Sequence, residues 1–334
     1  MTHARWVGVV GSAALLALGM AGAELGVRLA FGMPQTPAAL DAGLPPLHEP
    51  EPELGWRNRA GAVEWPGRER DAGRPIRMTF WPGGLRATAP APVSGRPELV
   101  VVGCSYAQGW ALGDADTFAW QLQQRHPELS VANLATAGYG AYQSLLALER
   151  HFSESDAPVA RVVYGMLEHH EIRNVAPAGW LRRLSAATAA GRLAVPWAAL
   201  GPDGRLERHA AESYPDWPLA GSLASVAHLE AGFAAWRARA RPERPRAVME
   251  ALLEALRDAS ARRGAPLLVA LLEARPEARR HYRRWLAAHG IEVADCVHPR
   301  TLDPAFGVPG YGHPGREIHA FWAECIGGAL GAVR

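Results

Sequence analysis

An α/β fold, with a parallel sheet covered by helices on both faces, is predicted by three features of this sequence. Five short apolar runs occur, at 99–102, 131–134, 162–166, 267–272 and 291–294. They read continuously rather than in apolar/polar alternation, as strands buried on both faces do. Between them lie segments of helical length and period, around 117–125, 141–152, 246–263 and 276–288. Strand and helix in alternation call for crossover connections and hence parallel pairing. The last segment is a helix with Ile318, Phe321, Trp322, Cys325, Ile326 and Ala329 on one face, an apolar stripe that has to pack on the sheet.

The 334 residues, 49% of them hydrophobic, supply a full core for one large domain or two small ones. A formal net charge of +2 argues against a nucleic-acid binder, which needs a visible basic excess. Every basic residue is Arg, with no Lys anywhere, so Schiff-base chemistry and a phosphate-cradling P-loop are excluded. Cys104, Cys296 and Cys325 are far apart and include no CxxC pair, so neither a disulfide framework nor a cysteine zinc site is read from them.

In chain order, residues 1–32 form an N-terminal signal anchor. No residue from Trp6 to Ala23 is charged, and as a helix this stretch spans about 27 Å, close to the thickness of a bilayer. Ala21-Gly22-Ala23 also resembles a signal-peptidase site, so secretion after cleavage is the alternative to an uncleaved transmembrane helix. The stretch is long for a signal peptide and runs into an amphipathic continuation, residues 24–29, which favours the anchor. With Arg5 on the cytoplasmic side, the remainder is exported, to the periplasm or outer membrane face of a bacterium.

Residues 33–97, rich in Pro, Gly and Arg, read as a linker (34–52) and an irregular lead-in with one hairpin over 74–86, turning at Pro82-Gly83-Gly84. Residues 98–334 form the α/β domain. Residues 175–240 break its rhythm as an insertion.

The residues able to carry chemistry follow the strands. Val102-Gly103-Cys104-Ser105 ends the first run, putting a serine at the carboxyl edge of the sheet, where α/β folds keep their sites. It is not a G-x-S-x-G elbow, because Ala107 stands two residues on. The second run is followed by Asn133-Leu134-Ala135-Thr136-Ala137-Gly138-Tyr139-Gly140, and the third by Glu168-His169-His170-Glu171-Ile172-Arg173-Asn174. Gly312-His313-Pro314-Gly315 precedes the last helix.

This order of blocks, over roughly residues 97–331, resembles the SGNH or GDSL-type esterase family. The resemblance implies a three-layer α/β/α fold with a flavodoxin-like sheet. It implies Ser105 as nucleophile, His313 as general base, and an oxyanion hole built from the Ser105 and Gly138 amides and from His170 in place of the family's asparagine. Cys104 stands where the family has Asp, and the Asp of the D-x-x-H-P block is missing before His313. Asp303 and Asp295 are the candidate acids to orient the imidazole, with a backbone carbonyl as the other means. Asp295-Cys296-Val297-His298-Pro299 fits D-x-x-H-P literally, but only His313 directly precedes the terminal helix.

His169, Glu171 and Asn174 are read as supporting residues. Adjacent histidines in extended chain point to opposite sides, and no H-E-x-x-H accompanies them, so His169 and His170 are not read as a metal site. No cofactor is implied. The expected activity is hydrolysis of an acyl ester, such as an O-acetyl group on an envelope or extracellular glycan. The alternatives are O-acyl transfer, or an inactive glycan-binding or scaffold domain. The expected partners are a small-molecule or glycan ester and, through the N-terminal helix, the membrane.

Overall fold

The computed structural model describes residues 3–33, 44–67, 75–186, 193–240 and 244–331. Helix α1 (His3–Phe31) comes first. The lead-in contributes β1 (His48–Glu51), β2 (Gly55–Asn58), β3 (Gly61–Trp65) and β4 (Ile76–Phe80). The domain follows as β5 (Glu98–Gly103), α2 (Ser105–Gln108), α3 (Phe118–Arg125), β6 (Ser130–Asn133), α4 (Ala141–Glu154) and β7 (Val159–Leu167). Then come α5 (His170–Asn174), α6 (Ala178–Ala186), β8 (Ala194–Leu200), β9 (Leu206–Ser213) and α7 (Ala224–Ala240). The chain closes with α8 (Pro245–Arg262), β10 (Leu267–Glu273), α9 (Pro276–Ala288), β11 (Glu292–Asp295) and α10 (Arg316–Leu330).

The central sheet has the order β6-β5-β7-β10-β11, and every pairing in it is parallel. Numbered by their own sequence these five strands run 2-1-3-4-5, the flavodoxin-like order. Its switch point falls beside β5, whose carboxyl end leads into Ser105. The predicted strands are all present. Alternate residues of β5 explain the continuous apolar run: Val100 and Val102 enter one core layer with α4, α8 and α9, while Leu99 and Val101 enter the other with α3 and α10. Trp322 and Ile318 of α10 are wholly buried in that second layer.

The insertion is a β8–β9 antiparallel hairpin flanked by α6 and α7, and its Val195 and Ala198 extend the first core layer. The lead-in is less of a linker than the composition suggests. β1 and β2 pair within residues 34–52 and just beyond; residues 34–43 lie outside the described residues. The turn at Pro82–Gly84 is present, but β4 pairs upstream with β3, and after the turn only Arg86 bridges back to Phe80. Arg74, the first residue of the expected hairpin, lies outside the described residues. Trp65, Met78 and Phe80 form a third core with Ala111, Leu112 and Val308, so the lead-in is part of the domain. Arg86, fully buried, pairs with Asp114 and donates to the carbonyl of Leu112 at 2.8 Å, clamping lead-in to site loop.

Two further findings differ from expectation. Cys296 and Cys325 form a disulfide, joining the end of β11 to α10; only the fold brings residues 29 apart in sequence to a Cα–Cα distance of 5.7 Å. On α1, the continuation at 24–29 turns its polar side inward. The Glu24 carboxylate accepts from the N–H groups of Ala224 and Ser225 at 2.6 and 3.0 Å, while Leu25 and Leu29 face outward. The segment Gly11–Phe31 is long and apolar enough to cross a membrane, and none of it is buried in the protein.

Candidate active site

Ser105 is delivered by a sharp turn at the end of β5. Gly103 has φ +151°, and a Cβ there would meet the Ala107 side chain and the Gly165 carbonyl at 2.9 Å each. Only glycine allows the chain to leave the strand so close to β7. Cys104 caps α2 with its side chain packed in the core beside Val101 and Ala107, so it backs the turn rather than facing the cleft. Ser105 opens α2, where the first N–H groups have no acceptor within the helix.

His313, on the loop before α10, lies with Nε2 3.0 Å from Ser105 Oγ. Its Nδ1 lies 3.1 Å from the Tyr311 carbonyl oxygen. A carbonyl can only accept, so Nδ1 carries the proton and Nε2 presents its lone pair to the serine hydroxyl. The ring is wedged between Trp110, at 4.3 Å between centroids, and Tyr106, at 5.6 Å. Trp65, from the lead-in, stacks on Tyr311 and supports the loop. Burial in this aromatic surround pushes the His313 pKa down to about 4; the Tyr311 carbonyl opposes the shift and the charge of Arg173 adds to it.

Among the described residues no carboxylate is hydrogen-bonded to this imidazole. Asp303, expected as a candidate acid, caps the short turn at Pro304–Phe306 by accepting from Ala305 N–H at 2.9 Å. Asp295, the other candidate, is held by Arg279 at 2.7 Å and Arg283 at 3.3 Å. The loop containing Asp303 presents a backbone oxygen to His313 where an aspartate was expected. The rival His298 packs on Phe321 and accepts from Arg300 N–H at 3.2 Å, with no bond to Ser105.

Gly138, on the loop after β6, has φ +87°, and a Cβ there would stand 2.9 Å from the Trp56 ring. Trp56 Nε1 donates to the Ala137 carbonyl at 2.8 Å, and the Tyr139 hydroxyl donates to the Trp56 carbonyl. Asn58 of the same strand donates to Ala135 O at 3.1 Å and accepts from Gln108 Nε2 at 2.6 Å. The lead-in thus ties the Ser105 turn to the Gly138 loop.

The loop after β7 differs from expectation. His170 is wholly buried, its Nδ1 2.6 Å from the Tyr164 hydroxyl, and its Nε2 is sealed from solvent without a hydrogen bond. A nitrogen that water cannot touch cannot meet a substrate oxygen, so His170 is not an oxyanion donor in this conformation. Burial, then Arg173 and His169, hold its pKa well below the ordinary value, so it is neutral. The member of the pair that faces outward is His169, its pKa lowered by partial burial and by Arg173 and Arg183.

Glu171 accepts from Tyr282 at 2.6 Å and Arg246 at 3.2 Å. Asn174 accepts from Tyr142 N–H at 3.1 Å, at the start of α4. Both brace α5 against its neighbours. Glu168 accepts from the Arg275 N–H and Nε at 2.9 and 2.8 Å.

Site-building residues that sequence reasoning did not single out are Trp56, Asn58, Arg86, Tyr106 and Trp110. Trp56 and Asn58, both buried in β2, gave no signal in the sequence. The aromatic pair beside His313 had none beyond its proximity to Ser105 in sequence.

No protein-family model matches the chain, and no curated protein matches it. Among solved structures it is similar to a member of the lipolytic G-D-S-L family from Veillonella parvula, with TM-score 0.39, 9% identity, and coverage of 68% of this chain and 94% of that one. It is also similar to the psychrotrophic esterase EstA from Pseudoalteromonas sp., with TM-score 0.38, 9% identity and coverage of 69% and 93%. A third is a catalytic mutant of an acetylxylan esterase from Geobacillus stearothermophilus, with TM-score 0.39, 12% identity and coverage of 72% and 97%. At such identities the site must be judged on its own geometry.

Proposed function

We propose that this chain is an exported, membrane-anchored serine esterase of SGNH type, acting on acyl esters with O-acetyl groups of an envelope or extracellular glycan as its substrate. The observation that carries the reading is the pair itself: Ser105 Oγ 3.0 Å from His313 Nε2, with the opposite ring nitrogen held by the Tyr311 carbonyl. Ser105 attacks the ester carbonyl while His313 Nε2 takes its proton. The amides of Ser105 and Gly138 stabilise the oxyanion. His313 returns the proton to the leaving alcohol, then activates the water that hydrolyses the acyl-enzyme. In place of an aspartate, the imidazolium formed in each step is stabilised by the Tyr311 carbonyl and by the face of Trp110, a cation–π contribution of about 0.5–2 kcal/mol.

Export is supported by helix α1 and by the disulfide, which belongs to oxidising compartments. Transfer of the acyl group to a sugar hydroxyl would use the same acyl-enzyme, and adding a sugar acceptor to the assay reads it directly.

The test is incubation of the detergent-solubilised full chain with 4-nitrophenyl acetate and with a fluorophosphonate probe. Turnover and labelling of Ser105 are expected, both lost in Ser105→Ala. A folded wild-type chain that takes no label sinks the enzyme reading in favour of a binding or scaffold role.

A further inference from the structure

Most inward-set arginines meet a carboxylate, and Arg263, which does not, donates to the carbonyls of Phe152, Ser155 and Ala157. Arg86 is met by Asp114, Arg182 by Glu230, and Arg150 by Glu51 and Glu53. Arg173, half-buried, has no carboxylate partner among the described residues. Its Nη1 donates to the Tyr139 carbonyl at 3.0 Å, one residue beyond Gly138, and its guanidinium lies over the Trp180 ring at 5.2 Å. Its Nε is enclosed without an acceptor. That leaves Nη2 as the end that is neither bonded nor sealed. The acidic side chains of the same loop are taken, Glu168 by Arg275 and Glu171 by Tyr282 and Arg246.

A cation set into a protein without a counter-ion is costly, and here it lies over an aromatic ring contributed by the insertion. Its bond to the Tyr139 carbonyl anchors it beside the Gly138 loop, and its charge adds to the downward shift of the His313 pKa. Such a rigid, unpaired guanidinium is suited to a planar anion.

We propose that Arg173 is a substrate-binding residue that recognises a carboxylate on the ester substrate through Nη2, so that the cleft prefers acidic esters over neutral ones of the same shape. This rests on the esterase reading above. The carboxylate could belong to the alcohol, as in a uronic acid, or to the acyl group, as in a dicarboxylic half-ester.

The test compares kcat/KM within two matched pairs: O-acetylglucuronate against O-acetylglucose, and mono-4-nitrophenyl succinate against 4-nitrophenyl acetate. The full-length wild type is expected to favour the charged member of one pair, and the pair that shows it identifies the side bearing the carboxylate. The preference should weaken as salt is raised, a readout that needs no variant. In Arg173→Met the charged-to-neutral ratio should fall about 10- to 100-fold, as for loss of one charge-assisted hydrogen bond, mainly through KM, and Arg173→Lys should recover part of it. Equal losses on both members of a pair overturn the proposal in favour of a structural role. So does a wild type labelled at Ser105 that shows no preference in either pair. A wild type that takes no fluorophosphonate label overturns the esterase reading instead.

Discussion

The loops after β5 and after β7 leave the carboxyl ends of adjacent parallel strands, yet they treat their polar side chains in opposite ways. After β5, a glycine turn lifts Ser105 to the edge of the sheet, where it meets His313. After β7, the chain turns straight into α5 and draws His170 into the core against Tyr164, leaving His169 and Arg173 at the rim. The first loop is built to present one hydroxyl, that of Ser105. The second is built to be rigid, with Glu168, Glu171 and Asn174 each committed to a neighbouring element. In the proposed site the first loop supplies the hydroxyl and the second the fixed charge of Arg173.

The sharpest way to break this contrast is to remove the partner of Ser105. His313→Ala should lower kcat/KM for 4-nitrophenyl acetate by about 10⁴-fold or more, and His298→Ala should leave Ser105 labelling intact. The opposite pattern would move the base to His298. Gly138→Ala comes next. Its Cβ would press on Trp56 at 2.9 Å from a φ of +87°, and the displaced amide should cost about 10²- to 10³-fold in kcat. A loss confined to thermal stability would remove Gly138 from the oxyanion hole.

The pH profile gives a smaller effect. In the proposed mechanism His313 acts as a base only when neutral, and its pKa is held at about 4, so the acid limb of kcat/KM should fall near pH 4 rather than near an ordinary histidine value of about 6.5. The signs for stability run in the same direction. His48 and His313, at about 4, and His319, at about 3, are depressed by burial. The unfolded chain therefore takes up protons first, and stability is lost as pH falls below about 6.5. Initial rates read alongside melting curves separate the two. The smallest effect is expected for Asp295→Asn and Asp303→Asn, each within about threefold in kcat, far short of the roughly 10⁴-fold cost of losing a true triad carboxylate. A drop of that size in either variant would restore an acid to the site.

Much of this was legible beforehand. The five strands and the terminal helix follow from local apolar period, and Ser105 and His313 from their places after the first strand and before the last helix. What was not legible depends on single-residue register or on backbone atoms. Whether His169 or His170 turns inward is decided by where the turn after Leu167 falls. The group orienting His313 is a main-chain carbonyl, which no residue identity announces. Trp56 and Asn58 lie in the segment whose Pro, Gly and Arg content reads as an irregular lead-in.

The sequence by itself determined the layered α/β architecture, the apolar N-terminal helix and the order of the chemical blocks, because hydrophobic period and strand-end turns are local properties. Only the tertiary structure decided that a backbone carbonyl supports the histidine, that Cys296 meets Cys325, that the lead-in frames the site, and that Arg173 has no counter-ion among the described residues. Each of these depends on which distant atoms share a space, and that is set by how the layers pack rather than by any stretch of chain.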